Sequence, residues 1–291
     1  MKKILVIGST GMLGKPVTQE LYRAGFELTL LARDIAKTRK VFPNAHIMQG
    51  DVLDKSTLVS AMKGQEELYV NLNTPQTAKP TDALPEREGI DNIIEAAKET
   101  GIRRIAFLSS LLKNYNGMNG FHWWVFDMKQ SAVDKIKAAG IPYTVYYASA
   151  FMENLDHIML RKNRVMLAGN SVAPMWFIAG HDFGRQVAWA FAKTGDESKE
   201  YPVQGMEAYT WDEAAKTFIR YYTKAPLKIM KTPLPIIKVI GKFNRQMSYL
   251  HMIMKALNNY PEKFESGQTW EELGTPMITL QAYAEQRSKK E

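Results

Sequence analysis

The chain has 291 residues, 45% of them apolar and 23% charged, with a formal net charge of +8, which is enough to bury a sizeable core around one large domain with appendages. It has no cysteine, which excludes disulfides, thiolate metal sites and cysteine nucleophiles. No apolar run is long enough to span a bilayer and nothing at the N-terminus resembles a signal peptide, so a soluble, cytoplasmic protein without a metal is expected.

Lys2-Lys3-Ile4-Leu5-Val6-Ile7 reads as a short strand running into Gly8-Ser9-Thr10-Gly11-Met12-Leu13-Gly14, a glycine-rich turn that opens an amphipathic helix ending at Gly25. That order makes a dinucleotide phosphate site. Gly8 permits the tight turn, Gly11 lets the backbone approach a pyrophosphate, Gly14 lets the helix pack closely, and the N–H groups at the helix start meet the negative charge. Further strands are expected at Leu28–Ala32, His46–Met48, Glu67–Asn73, Arg104–Ser109 and Tyr143–Ala148. Between them Asp54 caps a helix through Met62, and Arg87–Thr100 and Asp127–Ala139 repeat apolar positions at helical spacing. Gly101 and Gly140 follow where a left-handed cap is wanted. This alternation predicts an α/β fold with a doubly wound parallel sheet over residues 1–150.

Beyond Phe151 the elements shorten. Arg164–Ala168 and Val172–Ile178 predict a hairpin around Gly169-Asn170, followed by a helix over Asp182–Lys193, a strand at Tyr201–Gln204 and a helix over Asp212–Thr223 capped by Thr210. Pro233 to Asn258 is Met-rich, amphipathic and mostly helical. Residues 151–291 are thus expected to form a smaller, mostly helical lobe, packed on the first 150 residues and not independent of them.

After the second strand, a dinucleotide fold inspects the adenosine ribose. Arg33 stands there, and a guanidinium pairs with a 2′-phosphate and stacks on adenine, so NADP is expected in preference to NAD, with Lys37 adding charge one turn on. The alternative is that Asp34 inspects the ribose; otherwise Asp34 caps the next helix. Asp51 closes the third strand, where its carboxylate accepts from the adenine amino group while the N–H of Val52 meets a ring nitrogen; its other reading is as a cap. Asn73 and Thr74 follow the fourth strand at the carboxyl edge of the sheet, where cofactors pass.

Together these residues resemble the atypical short-chain dehydrogenase/reductase group, in its NmrA-like or isoflavone-reductase-like branch. Gly8-x-x-Gly11-x-x-Gly14, Arg33 and Gly50-Asp51-Val52 match its N-terminal half. Gly140-Ile141-Pro142-Tyr143-Thr144, Phe151-Met152-Glu153-Asn154 and His181-Asp182-Phe183-Gly184-Arg185-Gln186-Val187 are similar to later segments. The resemblance thins after about Tyr222. It implies a Rossmann-type domain and a role for Lys129 as anchor of the nicotinamide ribose. Four residues earlier, where short-chain reductases carry a proton-donating tyrosine, stands Val125, so the resemblance makes Lys129 the acid or electrostatic stabiliser as well. Ser109 falls where the family places a hydroxyl near the carboxamide.

The stretch Leu111 to Trp124 is dense in aromatics, and Tyr115, Phe121 and Trp123 are expected to line an apolar substrate pocket closed from the other side by Phe151 and Asn154. His122 lies about two turns before Lys129, so on a continuous helix it would face the same cleft and relay a proton. Two functions follow: an NADPH-dependent reductase of a small apolar carbonyl, quinone or activated alkene, or a non-catalytic NADP(H) sensor acting through a protein partner. The basic residues lie in scattered clusters (Lys37, Arg39 and Lys40; Arg161, Lys162 and Arg164; Lys228, Lys231, Lys238 and Lys242), so no nucleic-acid partner is expected. The segment Pro226–Asn258 reads as an amphipathic lid on the substrate cleft, with peripheral membrane contact as the lesser alternative.

Overall fold

Seven strands pair in one parallel sheet: β1 (Lys3–Ile7), β2 (Glu27–Ala32), β3 (His46–Gln49), β4 (Glu67–Val70), β5 (Arg104–Ser110), β6 (Tyr143–Ala148) and, from much later in the chain, β10 (Lys199–Val203). Their spatial order is β10-β6-β5-β4-β1-β2-β3. This is a computed structural model, and it describes residues 2–193 and 195–289. β1 is apolar at successive positions because both its faces are covered. Ile4 and Val6 pack with Val17 and Leu21 of α1 (Gly14–Arg23) and Phe183, Val187 and Phe191 of α6 (Gly180–Lys193). Leu5 and Ile7 pack on the other face with α3 (Lys55–Met62), α4 (Ile90–Thr100) and α5 (Trp124–Ala138) through Leu58, Ile93 and Val133.

Local signals set the helix limits. Asp34 accepts from the Lys37 N–H at 2.9 Å to start α2 (Ile35–Val41), and Asp54 accepts from the Ser56 N–H at 3.0 Å to start α3. Gly101, at φ 73°, closes α4. β1 lies between β2 and β4, so strand order reverses beside it and a crevice opens at the carboxyl ends of β1 and β4.

The later segments interleave with this sheet. After β6 come β7 (Leu160–Arg161), β8 (Arg164–Ala168) and β9 (Met175–Phe177), then α6 and β10 return to the main sheet. The chain continues through β11 (Glu207–Tyr209), α7 (Trp211–Tyr221), β12 (Lys228–Thr232), α8 (Leu234–Gly241), α9 (Arg245–Asn259), α10 (Gly267–Leu273) and α11 (Leu280–Lys289). The expected hairpin around Gly169-Asn170 does not form. β8 pairs antiparallel with β7, across a turn where Lys162 takes φ 54°, and parallel with β12, while β9 pairs with β11. Gly169 serves close packing instead: a Cβ there would lie 2.6 Å from Leu234.

The Met-rich stretch splits into two helices, with Asn244 accepting from the Met247 N–H to start α9. α9 approaches the crevice, its Tyr249 ring 4.9 Å from that of Trp123 and its Gln246 side chain bonded to Gln76. α8 lies outside it, burying Ile237 and leaving Ile236, Val239 and Ile240 exposed. The expectation of a single lid therefore fails for α8.

Candidate functional site

The loop after β1 is shaped by contact at two of its three glycines. Gly8 takes φ +90°, and a Cβ on it would sit 2.2 Å from the Asn71 carbonyl oxygen; a Cβ on Gly14 would sit 1.9 Å from the Gly8 oxygen. Gly11 differs. It is exposed, and its Cβ would meet only the Gly8 oxygen, at 3.3 Å. Among the described residues the N–H groups of Met12 and Leu13 have no acceptor, and α1 starts without a side-chain cap or an acidic residue in its first turn. Bare amides at a helix start beside a backbone free of Cβ atoms fit a diphosphate. Ser9 is buried beneath this loop and Thr10 half-buried.

At the end of β2, Arg33 and Lys37 are exposed, and Asp34 is spent on its cap. Asp51 gives one carboxylate oxygen to the Leu53 N–H at 3.0 Å, and the Val52 carbonyl accepts from Asn92 while its side chain packs against Gly89. Asn73 is exposed at the carboxyl edge.

On the opposite side of the crevice, Lys129 of α5 meets the carboxylate of Glu86, 2.5 Å away, and the other Glu86 oxygen accepts from the Thr74 hydroxyl at 2.5 Å. Glu86 is 2% exposed, so this is a buried carboxylate with an ammonium on one side and a hydroxyl on the other. Burial pushes the Lys129 ammonium toward losing its proton; the Glu86 charge overrides that and leaves its pKa raised. Tyr249 stands nearby. Burial raises its phenol, the Lys129 charge lowers it and the Glu86 charge raises it again, with a net rise. The Ser109 hydroxyl, near the end of β5, is buried without a partner among the described residues.

Several expected residues lie elsewhere. His122 precedes α5, because Trp123 is extended and the helix starts at Trp124. Its ring is 74% exposed and pairs with Asp127 at 3.1 Å, turned to solvent rather than aligned with Lys129. Tyr115, Phe121 and Trp123 pack on one another and on Phe126, Tyr260 and Tyr249 in the core between sheet and lobe. They fill space instead of lining it. Phe151 belongs to the core on the α1 and α6 side, 5.6 Å from Phe183, and Asn154 bonds back to the Phe151 carbonyl. Those two do not close a pocket across from the aromatic cluster.

Thr74 was expected to face a cofactor, but its hydroxyl is committed to Glu86. Sequence reasoning passed over Glu86 and Tyr249. Glu86 carried a local signal, since Pro85 opens and Gly89 ends a short helical turn that leads into α4. Tyr249 carried none; only packing of α9 against Trp123 brings it in.

The Escherichia coli protein described as a new type of NADPH-dependent quinone oxidoreductase shares this fold, with a TM-score of 0.73, 19% identity and coverage of 98% of this chain and 99% of that one. The photosystem II assembly factor Ycf39 of Guillardia theta is 24% identical over 242 residues, 78% of this chain and 74% of that protein. The NAD(P)H azoreductase of Xenophilus azovorans is 26% identical over 220 residues, 73% of this chain and 71% of that protein. With residues 1–282 matched by the model of the NmrA-like family, the chain belongs to that family.

Proposed function

We propose that the protein is an NADP-dependent reductase of a small apolar carbonyl, quinone or activated alkene, in which Lys129 is the cationic residue of the site. The observation that carries this reading is the pair of half-buried Lys129 and buried Glu86, in a chain whose first loop fits a diphosphate and whose Ser109 hydroxyl is buried without a partner among the described residues. The Met12 and Leu13 amides would hold the diphosphate, Arg33 and Lys37 a 2′-phosphate, Asp51 and Val52 the adenine, and Asn73, Ser109 and Lys129 the nicotinamide half. The reduced nicotinamide supplies a hydride when bound. Glu86 keeps Lys129 protonated, so an ammonium stands ready to stabilise negative charge developing on a substrate oxygen. Val125 offers no proton, which leaves that task to Lys129. The azoreductase and quinone oxidoreductase among the relatives support a substrate of this class. A cytoplasmic location belongs to the same reading.

The test is to follow absorbance of reduced nicotinamide with NADPH and a panel of quinones, azo dyes and enones. Turnover that Lys129→Met reduces by about a hundredfold, with NADPH still bound, is the expected result. Arg33→Ala is expected to weaken NADPH far more than NADH, and equal losses would remove Arg33 from the 2′-phosphate. A second reading, a non-catalytic NADP(H) sensor acting through a protein partner, is favoured by Val125 in the place of an acid and by the assembly-factor relative. Tight NADPH binding without consumption across the panel would select it.

A further inference from the structure

We propose that the outer face of α8 is an interfacial surface that adsorbs to anionic lipid. Ile236, Val239, Ile240 and Phe243 follow one another at i, i+3, i+4 and i+7, so they form a single stripe on the helix and the turn that ends it. All four are exposed, by 51%, 59%, 47% and 91%, while Ile237, at 4%, and the half-buried Leu234 face inward. A phenylalanine nine-tenths in water at the apex of an aliphatic stripe is surface that none of the described residues covers.

The occupant follows from charge. Between Glu213 and Glu262 the chain carries nine basic residues and no acidic one, so this segment accounts for the whole net charge of +8 and the rest of the molecule is close to neutral. Lys242 lies nearest the edge of the stripe, Lys238 on the side toward α9 and Arg245 at the start of α9, all three exposed and with no ion pair among the described residues. The cationic field reaches the next helix, where burial, then Lys238 and Lys255, push the His251 imidazole down. An aliphatic and phenyl stripe with unpaired lysine and arginine nearby is complementary to a bilayer with anionic headgroups, into which the apolar side chains insert while the long cationic stems reach the phosphates. A second copy of the chain fits poorly, since a two-fold contact through this face would oppose two cationic segments with no carboxylate between them. A nucleic acid fits poorly as well, because the centre of the face offers no donor to phosphate or base. This surface is independent of the chemistry proposed for the crevice.

The test uses the full-length protein and vesicles of phosphatidylcholine, with and without phosphatidylglycerol, read by co-sedimentation. Adsorption to the anionic vesicles alone, weakened by salt, is expected. Val239→Ser with Phe243→Ser should weaken it about tenfold at unchanged melting temperature, and Lys238→Glu with Lys242→Glu should abolish it. No adsorption to anionic vesicles overturns the proposal. Adsorption that the serine pair leaves intact also does so, since that describes a general polyanion patch. A dimer in light scattering that the serine pair dissociates overturns it too, by assigning the face to a second copy.

Discussion

Removing the Lys129 ammonium would leave the Glu86 carboxylate buried with only the Thr74 hydroxyl as partner, and a buried charge without its counterion costs more than the pair contributes. Lys129→Met is therefore expected to destabilise the fold by about 3 kcal/mol in urea unfolding, with part of the loss recovered when Glu86→Gln is added. Because the folded Lys129 pKa is raised above the ordinary 10.5, the stabilisation is fully present below that value and fades as pH climbs through the raised one. The gap between the native and Lys129→Met proteins should stay flat through neutral pH and narrow only in strong alkali.

Glu153 also loses stability as pH rises, but in the acid-to-neutral range and because burial disfavours its charge. One of its oxygens accepts from the Gly180 N–H at 2.8 Å, the other has no partner among the described residues, and burial pushes the carboxyl up to about 7 against the pull of that N–H. From the ordinary 4.5 up to about 7, the unfolded chain has released this proton while the folded one keeps it, so stability falls across that window. Glu153→Gln, which keeps an oxygen for Gly180, should match the native protein at pH 4 and exceed it by about 3 kcal/mol at pH 8 in denaturant titrations.

At the level of elements, the β1 to α1 loop separates what the fold needs from what a ligand needs. Gly14→Ala drives a methyl into the Gly8 carbonyl and should destabilise by several kcal/mol, about 3 or more. Gly11→Ala brings its methyl to 3.3 Å from the Gly8 oxygen, a tight contact that a shift of a few tenths of an ångström in the exposed loop relieves, so it should unfold within about 1 kcal/mol of the native chain yet bind NADPH weakly by calorimetry. Undiminished NADPH binding by that variant would remove the diphosphate from the loop.

Elements of this kind are legible in the sequence because their causes are local. β1 is apolar from Ile4 to Ile7 since both faces are buried there, and Asp34, Asp54 and Gly101 mark helix ends by their own hydrogen bonds or φ. Where the cause is distant, reading fails. Gly169 looks like a turn residue but makes way for Leu234, and His122 was placed on α5 because no capping residue marks the start at Trp124.

For the whole molecule, the seventh strand and the α6 layer come from beyond residue 150. A fragment of residues 1–150 would expose the β6 edge and the apolar face of α1 that Phe183 and Val187 cover. It is expected to lack dispersed amide resonances in a heteronuclear NMR spectrum, and a well-dispersed spectrum would show that those later segments are dispensable. The same long-range assembly sets how much of the candidate site the sequence disclosed. The phosphate loop is contiguous and could be read directly, whereas Glu86, Lys129 and Tyr249 come from three separate elements and meet only after packing. The aromatic residues between Leu111 and Trp124 announced an apolar role correctly but not its use, since composition does not distinguish a filled core from an open wall.

The interleaving of the two layers also limits how the molecule can move. The chain leaves the sheet after β6, builds β7 to β9, returns for α6 and β10, and leaves again, with the Phe151 to Ile178 bridge and the Asp182 carboxylate on the Met277 and Ile278 amides tying the passages together. A rigid clamshell opening of lobe from sheet would break all of these ties at once. α9 is held along its length, by Tyr249 on Trp123, Ala256 in the core and the Asn258 amide on the Ala168 carbonyl, whereas α8 fully buries Ile237 alone, so α8 is the helix with the fewest ties and the one freest to shift while the rest of the protein stays still.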